Sequence, residues 1–193
     1  ISNNVFTQNI AAVYGGGFFV AGLSGGVEMS NNTIVANAAT SSGGGGYFSS
    51  TDPEFRNNII AYQRGGHGIS GSSSSAVFEY NNWYDNATTD VAGGFSSSDI
   101  SGNGNLTDVP DFVDYDVSGY CDDDLRLLSS SALVDAGDPS VYDSDGSTSD
   151  MGAYGGPDVV NNDADGDGYS GTSDCDDSDS SVNPGETEIW YDG

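Results

Sequence analysis

Residues 161–179 read NNDADGDGYSGTSDCDDSD and carry seven aspartates from Asp163 to Asp179, with no lysine or arginine among them. Two unit charges about 4 Å apart repel by roughly 4 kcal/mol at an effective dielectric near 20, so this crowding asks for a counter-charge. Counted as a twelve-residue loop, the segment places Asp163, Asp165 and Asp167 at positions 1, 3 and 5, Gly168 at 6, Tyr169 at 7 and Asp174 at 12. The alternation wraps three carboxylates around one point because the glycine permits a sharp turn. Tyr169 would add its backbone carbonyl, and Asp174 would close the set where a longer glutamate is usual. Ligands that are all oxygen favour Ca²⁺ over zinc or copper. Ca²⁺ is therefore the expected cofactor. The bland alternative is a solvated acidic tail without an ion; the ordered spacing of the acids weighs against it. A weaker cation turn is Asp143-Ser-Asp-Gly146, which brings Asp143 and Asp145 near Asp150; an ordinary Asp-Gly turn is its competitor.

The rest of the chain is neutral by comparison. Of 30 acidic residues, 7 lie in 1–107 and 23 in 108–193, against three arginines and no lysine, for a net charge of −27. Phosphate recognition needs basic residues, so nucleic acid is excluded as a partner, and anionic lipid is disfavoured. No run of 18 apolar residues spans a membrane. The expected partners are cations. The chain opens at Ile1 inside a repeat, which predicts a piece of a longer precursor. Cys121 and Cys175 fit either a disulfide or two thiols, and the lysine-free acidic surface leans towards an extracellular, secreted or cell-surface setting.

The elements that hold the acidic loop are repeats. An Asn pair recurs at Asn3-Asn4, Asn31-Asn32, Asn57-Asn58 and Asn81-Asn82, at spacings of 28, 26 and 24 residues, and a glycine cluster follows each pair. Self-similarity at this period signals a solenoid. Six leucines are too few for a leucine-rich repeat. The glycine runs lack the aspartates of a nine-residue calcium roll, and the composition is poor in helix formers. A parallel β-helix remains. Its strands are expected in the β-branched or aromatic runs VFT, TIVA, IIAY and WYD after the Asn pairs, and in FFVAG, YFSS, GISG and GFSS at the glycines. Stacking would set Asn4, Asn32, Asn58 and Asn82 in one hydrogen-bonded amide column. About four to five coils are expected in residues 1–110, then an end-covering segment at 111–160 that uses Leu125, Leu127, Leu128, Leu133, Val134, Met151 and Tyr154, then an acidic module at 161–193.

The pattern N-N-x-I-x-x-N…G-G-G resembles the right-handed parallel β-helix repeats of pectate-lyase-like and bacterial surface proteins. Ala132-Leu-Val-Asp-Ala-Gly137 and Asp150-Met-Gly-Ala-Tyr-Gly-Gly156 resemble the C-terminal cap common in that group. Residues 163–193 resemble the MopE-type metal-binding repeat, D-x-D-G-D-G-Y, D-C-D-D-x-D, P-G-x-x-E-I and D-G. That resemblance adds Asp176, Asp177, Asp179 and Glu188 as ligands, for a second ion. The fold class it implies is all-β: a right-handed parallel β-helix solenoid with a C-terminal cap and a small Ca²⁺-binding loop module.

Fold alone does not fix activity. Polysaccharide lyases or hydrolases on this fold need a base beside Ca²⁺ or a pair of carboxylates. The basic residues Arg56, Arg64 and His67 fall in one repeat without an acid pair beside them in the sequence. No nucleophile elbow, P-loop or zinc pattern occurs. Tyr47, Phe48, Trp83, Tyr84 and Trp190 could stack on sugars, although core packing is the commoner fate of rings in strand runs. The expected function is a non-catalytic extracellular structural or adhesive rod that forms a homo-polymer through end-to-end docking. A polysaccharide-active fragment or carbohydrate-binding module is the alternative.

Overall fold

The computed structural model describes residues 1–72, 75–116 and 123–157. The residues expected to bind Ca²⁺ from Asp163 to Glu188 lie outside the described residues, as do both cysteines. The described residues contain no helix and wind as a parallel β-solenoid of about three turns, fewer than the four to five expected.

The first turn carries β1 (Val5–Thr7), β2 (Ile10–Ala11), β3 (Phe18–Ala21) and β4 (Val27–Ser30); the second carries β5 (Thr33–Val35), β6 (Ala38–Ala39), β7 (Gly46–Ser49) and β8 (Pro53–Arg56). The third carries β9 (Ile59–Ala61), β10 (Ile69–Gly71) and β11 (Val77–Glu79), and β12 (Asn82–Tyr84) and β13 (Val91–Gly93) begin another. Stacked turns form three larger parallel sheets in the orders β1-β5-β9-β12, β13-β10-β7-β3 and β11-β8-β4, and a two-stranded parallel sheet of β2 and β6. The third sheet was not foreseen, and the second differs in its last member: Val91–Gly93 pairs with Ile69–Gly71, whereas the GFSS run lies wholly beyond it.

Alternation along each strand fills the interior. In the first sheet Phe6, Ile34, Ile60 and Trp83 are in register; in the third, Met29, Phe55 and Phe78 are. These side chains join Phe48 and Ile69 in one core. Its rings pack mostly edge to face: Phe48 on Phe55 at 88° and Phe78 on Trp83 at 79°, an arrangement favoured by ring quadrupoles. Phe18 lies over Gly46, where a Cβ would come within 2.1 Å of its ring. Phe95 packs on Phe78, and Trp83 N donates to Leu106 O, so residues 95–106 cover the last turn.

The segment expected to cover that end lies elsewhere. β5 and β9 are buried on both faces, and their outward residues Val35, Ile59 and Ala61 form a second cluster with Phe112, Leu125, Leu133 and Met151. Residues 131–156 therefore lie as a strap on the flank of the first sheet. Burial on both faces explains why TIVA and IIAY read as continuous apolar runs instead of alternating ones. Leu128 and Tyr154 remain exposed. The antiparallel pair of β14 (Phe112–Asp114) and β15 (Asp124–Leu127) leads into the strap.

Candidate functional site

The polar groups that the repeats bring together are side-chain amides. Asn4 N and Nδ2 donate to Asn32 Oδ1 at 3.1 and 3.2 Å. Asn32 N and Nδ2 donate to Asn58 Oδ1, both at 2.9 Å, and Asn58 donates likewise to Asn81 Oδ1. Asn81 completes the series on Asn105 Oδ1. The fourth member is thus Asn81, not Asn82. The cause is the residue before each column member. Asn3, Asn31 and Asn57 hold φ of 54°, 50° and 56°, and Tyr80 takes that place at 54°. The backbone register, Ile59 opposite Asn82, then moves Asn82 into the strand, where it exchanges two hydrogen bonds with the backbone of Asp108.

A second column, not foreseen, runs in parallel. Asn9 donates to Asn37 Oδ1, Asn37 N to Gln63 Oε1 at 2.9 Å and Gln63 N to Asn86 Oδ1. It too follows left-handed residues: Gln8, Ala36, Tyr62 and Asp85 have φ between 47° and 58°. The signal was present in the sequence, because each member lies five residues after a member of the first column.

The first Asn of the first three pairs has a different task. Asn3 Nδ2 donates to Ala153 O and Gly155 O, Asn31 Nδ2 to Ser149 Oγ and Asp150 O, and Asn57 Oδ1 accepts Asp138 N at 2.8 Å. These are strap atoms. Gly152, at φ 95°, lets the strap close on the sheet, since a Cβ there would meet Ile59 Cδ1 at 2.7 Å. Each of the first three Asn pairs thus ties its turn to the next through one residue and to the strap through the other.

Of the acids singled out in the strap, Asp143 accepts Asp150 N at 2.9 Å through Oδ2 and Gly156 N through Oδ1. Asp145 accepts Ser147 N and Oγ, which lowers its pKa. Asp150 Oδ1 accepts Asp135 N at 2.7 Å. Burial, opposed by that bond and reinforced by the charges of Asp143, Asp135 and Asp145, pushes the Asp150 carboxyl up to about 6. These acids order turns, and among the described residues no group of three or more His, Cys, Asp or Glu side chains is placed to hold a metal ion.

Arg56, Arg64 and His67 each have different partners. Arg56 pairs with Glu79 at 2.8 Å and with Asp138 at 3.4 Å. Hydrogen bonds from Ser140 and the charge of Arg56 hold the Asp138 carboxyl below the usual range despite burial, the wrong direction for a general acid. Arg64 bonds to Tyr115, and His67 Nδ1 lies 2.7 Å from Thr89 Oγ1. Of the rings weighed for sugar stacking, Phe48 and Trp83 are buried, Tyr47 and Tyr84 are half-buried, and Trp190 lies outside the described residues.

The described geometry defines a parallel β-solenoid whose conspicuous polar residues serve its own backbone. No protein-family model matches the chain, and no match was found among curated proteins or solved structures.

Proposed function

We propose that the chain is a non-catalytic, extracellular structural or adhesive rod. In this reading the solenoid is right-handed and pectate-lyase-like, and 161–193 is a MopE-type module that Ca²⁺ orders. The observation that carries the structural role is the pair of amide columns. Asn32, Asn37, Asn58 and Gln63 are buried, and their amides bond to neighbouring turns, where a binding or catalytic site would keep polar atoms free for a ligand. The Ca²⁺ assignment rests on Asp163, Asp165, Asp167, Tyr169 and Asp174, with Asp176, Asp177, Asp179 and Glu188 from the repeat resemblance. Assembly is end to end, by docking of the solenoid ends of successive copies.

Calorimetric titration of the full chain with Ca²⁺ tests the module, and light scattering with and without chelator tests assembly. The expected dissociation constant is on the order of 10⁻⁴ to 10⁻³ M, as in extracellular calcium modules. Binding is expected to vanish when Asp163, Asp165 and Asp167 are all changed to Asn. Undiminished binding by that triple variant refutes the module. Release of reducing or unsaturated sugars from an acidic polysaccharide refutes the non-catalytic reading.

A further inference from the structure

Asparagine is a thermolabile residue, because its carboxamide can be attacked by the backbone nitrogen of the residue that follows. A carboxamide held by hydrogen bonds cannot turn to meet that nitrogen, and a Cβ on the following residue hinders the approach. Among the described residues every asparagine side chain but one takes part in a hydrogen bond. The exception is Asn103, which is exposed. It is also the only asparagine in the whole sequence that precedes a glycine.

The backbone explains why this pair stands here. Asn105 N donates to Gly102 O at 2.9 Å, and the two central residues of that turn, Asn103 and Gly104, have φ of 50° and 73°. Positive φ at both positions selects Asn-Gly. Gly104 also lies against Tyr80, where a Cβ would come within 2.2 Å of the ring. No larger residue fits there to shield the amide. The packing of the loop that covers the last turn therefore fixes a reactive pair. Gly104 N, the attacking atom, donates no hydrogen bond among the described residues.

We propose that Asn103-Gly104 is a self-modification site, where the chain converts to isoaspartate and unfastens its own last turn. Gly104 N loses its proton to solvent base and attacks Asn103 Cγ. The N–Cγ bond closes a cyclic imide as the Cγ–Nδ2 bond breaks, and the amide nitrogen takes up a proton and leaves as ammonia. Water then opens the ring. Opening at Cγ gives aspartate; opening at the main-chain carbonyl gives isoaspartate, with the chain routed through Cγ. Isoaspartate adds a carboxylate and lengthens the main chain by one methylene. The extra carbon falls between two anchors of the loop. Asn103 O accepts Tyr80 N at 2.9 Å, and Asn105 Oδ1 accepts Asn81 N and Nδ2 at 3.0 and 3.1 Å. The two anchors lose their common register, and the first amide column loses its final acceptor.

The chemistry is independent of assembly and of Ca²⁺ binding. The folded full chain is incubated at mildly alkaline pH, and peptide mapping by mass spectrometry locates isoaspartate. The expected result is isoaspartate at position 103, formed at least tenfold faster than at any asparagine of the two columns. In the modified chain, isolated by ion exchange, amide hydrogen exchange is expected to be at least tenfold faster at Asn81 and Leu106, and unchanged at Ile59, whose N donates to Asn32 O. Asn103→Gly keeps the left-handed backbone and is expected to abolish the modification while leaving exchange as in the unmodified chain. Freshly prepared Asn103→Asp carries the charge without the extra methylene and is expected to exchange like the unmodified chain too. Conversion at 103 no faster than in the columns overturns the proposal, as does conversion there only after unfolding in urea, because the turn then protects its amide. Unchanged exchange at Asn81 and Leu106 in the isoaspartate form also overturns it, and so does equal acceleration by Asn103→Asp, which would make charge the cause.

Discussion

Asn58 makes five hydrogen bonds from a side chain with no exposed surface. Nδ2 donates to Met29 O, Arg56 O and Asn81 Oδ1, and Oδ1 accepts both nitrogens of Asn32. Each buried polar group left without a partner costs about 1–3 kcal/mol. Asn58→Ala is therefore expected to destabilise the solenoid by about 3 kcal/mol or more, measured by denaturant unfolding. Asp150 offers a contrast in pH. Its folded-state pKa is raised to about 6, above its value of 3.8 in the unfolded chain. The protonated form is favoured by folding, so its contribution is fully present below the unfolded value and is lost as pH rises through about 6. The carboxyl is partly exposed, and screening holds the effect to about 1 kcal/mol or less. Asp150→Asn, which keeps an acceptor for Asp135 N, is expected to flatten the fall in melting temperature between pH 4 and 7 in chelator. At this scale the sequence was partly readable. The Asn pairs announced the column, but Asn81 and Asn82 look alike in a string. The choice between them lies in Tyr80 accepting a left-handed backbone that favours Asn or Gly.

The first sheet owes its double burial to the strap, and the strap owes its place to Leu133 and Met151 over Val35, Ile59 and Ala61. Leu133 is fully buried. Leu133→Ala is expected to cost about 2–5 kcal/mol and to raise amide exchange in β5 and β9 more than in β8. Exchange that rises uniformly would mean that the strap and sheet are not a local unit. The strands beside the Asn pairs were legible because landmarks flank them. The third sheet was not, because VEMS, PEFR and VFE share no common pattern of apolar residues and carry a glutamate each, although they precede the Asn pairs. The strap's segment was noticed as a motif, yet its docking on a flank depends on partners more than a hundred residues away: Asn31 with Ser149 and Thr33 with Ala153.

For the whole molecule the dominant quantity is charge, with 23 of 30 acids in residues 108–193. Self-repulsion of this size weakens a compact state and is screened by salt. If Ca²⁺ acts at a defined loop, 1 mM CaCl₂ is expected to raise the melting temperature in a background of 150 mM NaCl, where general screening is already largely complete. An equal rise from MgCl₂ would indicate screening alone, since Mg²⁺ is reluctant to shed water for an all-protein cage. A parallel solenoid was legible because one period recurs along the chain; the number of turns was overestimated because the turn that the fourth Asn pair opens carries β12 and β13 but adds no strand to the third sheet. The columns also carry a consequence for how such a chain can vary. Successive members of the first are 28, 26 and 23 residues apart and those of the second follow the same three intervals. Every change of length thus falls outside the short arc joining the two columns. That arc behaves as a fixed ruler, while the remaining perimeter is free to gain or lose loops, and it is there that a lineage or a designer can graft new sequence without disturbing the stack.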